Sequence, residues 1–201
     1  MNPNDNQPIP SDYLNQIAAQ PPKKVNFVRK QPILIGGVAI IAVIIILTII
    51  SSLSGGIKPS EQLAARLIAT KSVADDATSK IKSPELRALN SNLKIYLTNT
   101  IRDIAAPLLK DKINVNRLDK KATVAESNVQ LLATLEDARL NAIYDRTYAR
   151  EMAYQLDTVL TLMRQIYNDT SNKDLKSFLD SKIENLVPIQ KQFADFNSAT
   201  S

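Results

Sequence analysis

Residues Ile33 to Ile50 read ILIGGVAIIAVIIILTII, and this apolar stretch decides the architecture expected for the chain. It carries no charge, and Thr48 is its only polar side chain. Extended to Leu53, a helix of this length rises about 31 Å, which matches a hydrocarbon core about 30 Å thick. In lipid the backbone must satisfy its own polar groups, so the stretch has to be helical despite its β-branched residues. Residues 32–53 are therefore predicted to form a single transmembrane helix rather than a buried strand or a core helix.

The charges on either side of this span predict its orientation. Four Lys and Arg residues lie between positions 23 and 30, whereas Lys58 is the first charge after the span. The positive-inside rule then places residues 1–31 in the cytoplasm and the carboxyl-terminal domain outside. The apolar run is longer than the core of a signal peptide, and Ser51 to Gly56 offers no A-x-A cleavage site. An uncleaved signal anchor is therefore favoured over a cleaved signal peptide.

The segments on either side of the span contain few apolar residues. Residues 1–31 are rich in Pro, Asn and Gln and are predicted to be a disordered cytoplasmic tail. Within this tail Tyr13, Leu14 and Ile17 are either a docking motif or a chance apolar cluster. Residues 54–59, which include Gly55 and Gly56, are predicted to form a hinge before the outer domain.

The composition excludes several classes of chemistry. The 201 residues include no Cys and no His. Disulfides, thiolate catalysis, His-based relays and His-ligated metal sites therefore cannot be built from this chain. The formal net charge of +5 is spread along the sequence without a concentrated basic stripe, so we expect no nucleic-acid partner.

Residues 60–197 are predicted to be an all-α domain, because apolar residues recur there at helical spacing. Helices are expected over about 60–81, 84–108, 122–140, 142–168 and 173–197, with Ser60 and Ser83 as N-caps and a loop at 110–121. Pro107 and Pro188 should bend or shorten their helices. Four long helices and a short one on short connections are typical of an antiparallel four-helix bundle. Each of the five predicted helices has one inward face. In chain order, these faces are Leu63, Leu67, Thr70, Ala74, Ala77 and Ile81; Leu86, Leu89, Leu93, Tyr96, Leu97, Thr100, Ile101, Ile104 and Leu108; Val129, Leu132, Leu135 and Ala138 or Arg139; Tyr148, Met152, Leu156, Val159, Met163 and Ile166; and Leu175, Leu179, Ile183, Leu186 and Phe193.

Four short stretches carry a family resemblance. They are Ser83–Leu89 (SPELRAL), Ile143–Tyr148 (IYDRTY), Asn172–Phe178 (NKDLKSF) and Val187–Ile189 (VPI). In order and spacing they resemble the ferritin-like four-helix domain of unknown function found in bacterial exported proteins, which are often labelled predicted outer-membrane proteins. The resemblance covers about residues 60–197 and implies a ferritin-like bundle in the bacterial envelope.

The chain departs from this family where metal chemistry would lie. The family carries histidines along its helices, often in Asp-His pairs, and the matching positions here are Leu97, Leu156 and Phe193. All three lie on predicted inward faces. The resemblance therefore extends to the fold and not to a ligand set, and we expect no metal and no cofactor.

Two further groups of residues are candidates for a site. The carboxylates of Glu61, Glu85, Glu126, Glu136, Glu151 and Glu184 flank the apolar faces, and we interpret all of them as solvated surface charges. Tyr144, Tyr148 and Tyr154 could line a ligand pocket, but at helical spacing in a bundle they are expected to be core and rim residues. No catalytic, cofactor-binding or metal-binding residue is predicted.

These observations predict a non-enzymatic bundle, anchored in a bacterial cytoplasmic membrane and displayed outside it as an interaction or envelope-structural module. The alternatives are a small-molecule sensing ectodomain and a degenerate metal-binding ferritin-like protein. Besides the lipid bilayer at residues 32–53, an unidentified protein partner is expected. A homodimer is also considered, because the span presents small residues at Gly36, Gly37, Ala39 and Ala42, although it lacks a strict G-x-x-x-G.

Overall fold

The computed structural model describes residues 56–198, which form six α-helices and no β-strand. The helices are α1 (Pro59–Ala77), α2 (Pro84–Lys110), α3 (Lys120–Ala125), α4 (Val129–Leu140), α5 (Tyr144–Asp169) and α6 (Lys173–Ser198). The all-α prediction is confirmed for this part of the chain. The predicted tail, the predicted span at 32–53 and the first residues of the predicted hinge lie outside the described residues. None of the helices within 56–198 has both the length and the apolar character needed to cross a bilayer.

The four long helices pack as a ring in which each contacts two neighbours, in the order α1, α2, α6, α5. The Lys58 ammonium donates to the carbonyl of Asp111 at 3.3 Å, so the start of α1 lies beside the end of α2. Lys110 pairs with Asp174, so the end of α2 lies beside the start of α6. Because only residues 170–172 join α5 to α6, those helices also reverse direction. Each long helix therefore runs antiparallel to both of its ring neighbours.

This arrangement gives the bundle two ends, which we name by the helix starts found there. The Pro59 end holds the start of α1, the end of α2 and the short connection from α5 to α6. The Tyr144 end holds the end of α1, the starts of α2 and α5, and the ends of α4 and α6.

The centre of the ring is apolar, as the helical spacing predicts. The predicted inward faces of α1, α2, α5 and α6 are buried or half-buried throughout. Leu97, Leu156 and Phe193, which match the histidine positions of the resembled family, are completely buried in this core. Completely burying a side chain of this size contributes about 1.5–3 kcal/mol, so these three residues stabilise the ring.

The ends of the first two helices differ in how closely they follow the prediction. Ser83 caps α2 as expected, since its hydroxyl accepts a hydrogen bond from the Leu86 N–H at 3.3 Å. The prediction of Ser60 as the cap of α1 is wrong, because α1 begins one residue earlier, at Pro59, and Lys58 is the N-cap residue. The fixed φ of proline suits the first helical position, which explains the earlier start. Helix α1 also ends at Ala77 rather than at Ile81, although Ile81 is buried as predicted.

The predicted helix over 122–140 is two helices, α3 and α4, separated by Glu126, Ser127 and Asn128. Polar side chains hold this break against α1: the Asn128 amide donates to the Ala69 carbonyl at 2.6 Å, and Glu126 binds two α1 side chains. The inward prediction for Val129 and Leu132 is wrong, since both are exposed while Leu135 and Ala138 are buried. The reason is that α4 lies outside the ring and packs on α5.

Candidate functional site

Glu126 is not the solvated surface charge that the sequence predicts. Its side chain is 1% exposed, and its Oε2 lies 2.5 Å from Nη2 of Arg66. The Gln62 amide donates to Glu126 Oε1 at 2.9 Å, and Arg66 Nη1 donates to Gln155 Oε1 at 3.1 Å. The other five glutamates named above are exposed or half-buried, as expected.

This buried ion pair connects three separate elements. Arg66 lies on α1, Glu126 at the break between α3 and α4, and Gln155 on α5. Because each charge has its opposite partner at contact distance, the pair is neutralised within the protein rather than held ready for a substrate. We interpret it as the attachment that fixes the α3–α4 segment to the outside of the ring. A periodicity argument misses Glu126, because its inward direction depends on the helix breaking there.

Tyr148 is a core residue, as the sequence predicts. Its hydroxyl donates to Asn90 Oδ1 at 2.6 Å, and the Asn90 amide donates to the Ala74 carbonyl at 3.0 Å. Its ring meets Phe193 edge to face, with centroids 6.0 Å apart. Burial raises the pKa of Tyr148 well above its ordinary value, so the hydroxyl remains a hydrogen-bond donor. Tyr154, the third candidate tyrosine, is half-buried.

Tyr144 differs from Tyr148 although the two rings stack, with centroids 6.0 Å apart and planes 6° from parallel. Tyr144 is only 4% exposed, and its hydroxyl has no hydrogen-bond partner among the described residues. Burial, and then the carboxylates of Asp76, Asp145 and Glu136, raise the pKa of Tyr144, so it too stays protonated. A buried donor without an acceptor is destabilising by about 1–3 kcal/mol, and the hydroxyl of Thr100 is likewise buried without a partner among the described residues.

Tyr144 lines a cavity of about 520 Å³ at the Tyr144 end of the bundle. We call it the end cavity. Its lining residues are Lys80, Lys82, Ser83, Glu85, Arg139, Ala142, Ile143, Tyr144, Asp145, Arg146 and Phe196. Its volume falls within the range of about 300–1,000 Å³ that is usual for small-molecule sites.

Two local structures hold the walls of the end cavity. Asp145, in the first turn of α5, accepts hydrogen bonds from the backbone N–H groups of Lys82 at 3.0 and 3.1 Å and of Ser83 at 2.6 Å. Helix α4 ends in a Schellman turn, in which the Ile143 N–H reaches the Ala138 carbonyl at 2.9 Å and Ala142 adopts a φ of 58°. The first structure fixes the α1–α2 connection against α5, and the second directs the chain from α4 into Tyr144.

The sequence identified Tyr144 as a candidate but could not identify the cavity beside it. The cavity walls come from four separate parts of the chain: the α1–α2 connection, the end of α4, the start of α5 and the end of α6. No spacing within one helix brings such residues together. The one available signal was local, namely a tyrosine at the start of a helix next to several charged residues.

Within residues 56–198, no cluster of three or more acidic side chains is close enough to hold a metal ion. Comparisons of this chain with protein-family models, curated proteins and solved structures find no match. The resemblance to the ferritin-like family therefore stays a prediction, and the function has to be inferred from the geometry of the side chains.

Proposed function

We propose that this chain is a membrane-anchored, non-enzymatic helical bundle that acts as an interaction module outside the cytoplasmic membrane. Residues 32–53 would anchor it in the bilayer, and residues 60–197 would form an antiparallel, ferritin-like bundle with the shorter helices α3 and α4 outside its ring. The observation that carries the proposal is the end cavity, which the exposed side chain of Ile143 and the half-buried ring of Phe196 line. A partner that covered these apolar groups would remove them from water.

The chemistry of the side chains supports a non-enzymatic role. The sequence has no His or Cys to serve as base or nucleophile. Glu126, the one buried carboxylate within residues 56–198, is neutralised by Arg66. Tyr144 and Tyr148 are both held in the protonated form by burial, which suits them to binding by hydrogen bonds and not to proton transfer near neutral pH.

The end cavity and the point where the described chain enters the bundle lie at opposite ends. The chain enters at Pro59, and the end cavity is about 28 Å away along the 19 residues of α1. A crosslinking residue at one end can therefore be compared with one at the other end.

Photo-crosslinking in cells tests this proposal. A crosslinking residue in place of Ile143, which is 54% exposed and lines the end cavity, should capture a specific partner. The matched control is Leu109, an apolar residue of similar exposure at the Pro59 end. The same adducts from both positions, or none from Ile143, would contradict an interaction at the end cavity.

The topology needs separate tests. Protease added to intact cells should remove an epitope at the carboxyl terminus and spare one at the amino terminus. If the carboxyl-terminal epitope is protected, the outside location is wrong. Crosslinking in membranes before and after Gly36→Leu and Ala39→Leu tests the homodimer, and an unchanged pattern argues against a contact through that face of the span.

The second candidate function is a small-molecule sensing ectodomain, and the size of the end cavity favours it. It predicts that Ile143 yields no protein adduct while a soluble ligand binds. The degenerate metal-binding alternative has less support, because the apolar side chains of Leu97, Leu156 and Phe193 fill the positions where the ligands would lie. Elemental analysis of the purified chain tests it directly, since a metal site would give near-stoichiometric metal.

A further inference from the structure

The two ends of the bundle differ in charge. The Pro59 end has eight basic and five acidic residues, a net charge of +3, in its three segments, which are 58–61, 109–121 and 169–176. The Tyr144 end has five basic and seven acidic residues, a net charge of −2, in the segments 74–87, 136–146 and 194–198. The positive excess at the Pro59 end lies in residues 112–121, which run from the end of α2 into the first turn of α3. We call this segment the basic loop.

The basic side chains of this loop are available to a partner. All four are exposed, and none takes part in an ion pair with any described residue; they are Lys112, Arg117, Lys120 and Lys121. Acidic side chains beside the loop already have partners. Asp174 pairs with Lys110, and Glu61 accepts a hydrogen bond from the Asp119 N–H at 2.7 Å. The positive charge of the loop is therefore not neutralised within the bundle.

Buried apolar side chains and backbone hydrogen bonds hold the basic loop in place. Ile113 and Val115 are buried in the core. The Ile113 N–H donates to the Leu108 carbonyl at 3.0 Å, and the Arg117 N–H donates to the Asn114 carbonyl at 2.9 Å. Because the backbone is held in this way, the loop presents its basic side chains on a formed surface, and little ordering is needed when a partner binds.

Two exposed side chains at the same end suit the boundary between lipid and water. Leu109 is exposed in the last turn of α2, and Tyr167 is exposed in the last turn of α5. The Lys176 ammonium lies 5.5 Å from the centroid of the Tyr167 ring. Basic side chains attract anionic headgroups, and aromatic and apolar side chains favour the membrane interface. An anionic bilayer can use both features, whereas a nucleic-acid backbone would pair with the charges and leave Leu109 in water.

From the unpaired charges of the basic loop and the exposed side chains beside it, we propose that the Pro59 end is a second interaction surface, which binds the anionic headgroups of a lipid bilayer. The basic side chains of the loop pair with headgroup phosphates, and Leu109 and Tyr167 enter the interface. This inference is independent of the end cavity. It does not require the predicted span either, because a peripheral contact needs only the described surface.

A fluorescent label at each end of the bundle tests the proposal. Because the sequence contains no Cys, one introduced cysteine gives the full chain a single label. Asn116→Cys places it in the basic loop, and Ser79→Cys places it at an exposed position of the α1–α2 connection, at the Tyr144 end. The labelled chains are reconstituted into vesicles with a nitroxide quencher on the headgroup, made of phosphatidylcholine alone or with added phosphatidylglycerol. We expect phosphatidylglycerol to increase quenching at position 116 only, and added salt to reverse the increase.

Two matched charge variants locate the contact. Arg117→Gln with Lys120→Gln removes two charges from the basic loop, and Lys82→Gln with Arg87→Gln removes two from the Tyr144 end. All four residues are exposed and make no ion pair in the described part of the chain. Each basic residue at an anionic surface changes the bound population roughly fivefold, so the loop variant should bind roughly 25-fold less and the control should bind like wild type. The basic residues at 23–30 are kept in both variants, so they do not affect this comparison.

Three outcomes would overturn the proposal: equal quenching at position 116 in both lipids, an equal response at position 79, or an unchanged response in the loop variant. Binding of a DNA duplex to wild type but not to the loop variant, without any response to phosphatidylglycerol, would also overturn it and assign the surface to nucleic acid. A wrong anchor gives a different result. The chain would then fail to float with phosphatidylcholine vesicles, while phosphatidylglycerol vesicles would still bind wild type and not the loop variant.

Discussion

The two stacked tyrosines of α5 offer a test in which the same chemical change should have different effects on stability. Tyr144→Phe and Tyr148→Phe each remove one buried hydroxyl and keep the ring. Tyr148 donates to Asn90 at 2.6 Å, whereas Tyr144 has no hydrogen-bond partner anywhere in residues 56–198. Tyr148→Phe therefore removes a hydrogen bond and Tyr144→Phe removes none, while both substitutions keep the packing of the ring.

The expected magnitudes follow from the surroundings of each hydroxyl. Tyr148→Phe removes a buried hydrogen bond and leaves Asn90 Oδ1 without its donor in a residue that is 2% exposed. Leaving a buried group unsatisfied costs about 1–3 kcal/mol, so we expect the free energy of unfolding to fall by about 2 kcal/mol. Tyr144→Phe removes a hydroxyl whose burial is not compensated, so the free energy of unfolding should stay unchanged or rise by up to about 1 kcal/mol.

Urea unfolding of the full chain in detergent, followed by far-ultraviolet circular dichroism, measures both changes. The dependence on urea should be the same for wild type and both variants, since similar surface is exposed in each case. An Asn90→Ala variant and its combination with Tyr148→Phe complete a double-mutant cycle, which should give a coupling energy of at least about 0.5 kcal/mol. Equal losses for the two tyrosines, or no loss for Tyr148→Phe, would refute the hydrogen-bond reasoning.

Three further expectations follow from other contacts. Arg66→Met leaves the buried Glu126 carboxylate without its counter-charge, so the free energy of unfolding should fall by about 3 kcal/mol in the same urea assay. A loss below about 1 kcal/mol would show that the pair is not effectively buried. Lys112 has a φ of 62°, a backbone conformation that glycine adopts without strain. Lys112→Gly should therefore remove this strain and raise the free energy of unfolding by about 0.5–1 kcal/mol in thermal denaturation. A lower melting temperature would contradict this. The pKa of Asp75 is held below its ordinary value of 3.8, first by the hydrogen bond from Lys71 and also by Lys94. The stabilising contribution of Asp75 is therefore present above that value and is lost as the pH falls through the folded pKa. The difference in stability between wild type and Asp75→Asn should therefore shrink on acidification, and a difference that is constant with pH would argue against the ion pairs.

The apolar faces of the long helices could be predicted from the sequence because burial there depends on a local period. Leu63, Leu97, Leu156 and Phe193 all lie inward at the expected phase and are completely buried. The prediction failed where a helix lies outside the ring. Leu132 lies three residues before Leu135, a spacing that inward residues show elsewhere, but α4 lies outside the ring and packs on α5, so Leu132 stays exposed while Leu135 is buried.

Polar residues that act between helices were the other source of error. Glu126 was expected at the surface because a glutamate is rarely buried, and nothing near it in the sequence reveals Arg66 or Gln62. Asn90 lies on the inward face of α2, between Leu86 and Leu93, yet its role depends on Tyr148, 58 positions later. The residues of the end cavity are dispersed in the same way. Pairings between distant parts of the chain follow from the packing of the helices, which a helical period does not specify.

The polar contacts between distant residues also explain why the Tyr144 end can hold a preformed cavity. Helices α2 and α5 are not neighbours in the ring, yet Asn90 of α2 binds Tyr148, and the backbone at Lys82 and Ser83, just before α2, binds Asp145 of α5. The Asn90 amide also binds the Ala74 carbonyl, so α1 is fixed in the same register. The ends of α1, α2 and α5 are thus held together by hydrogen bonds at the end of the bundle where the end cavity lies. A cavity whose walls are held in this way needs little ordering when a ligand or partner binds, so little of the interaction energy is spent on fixing those walls.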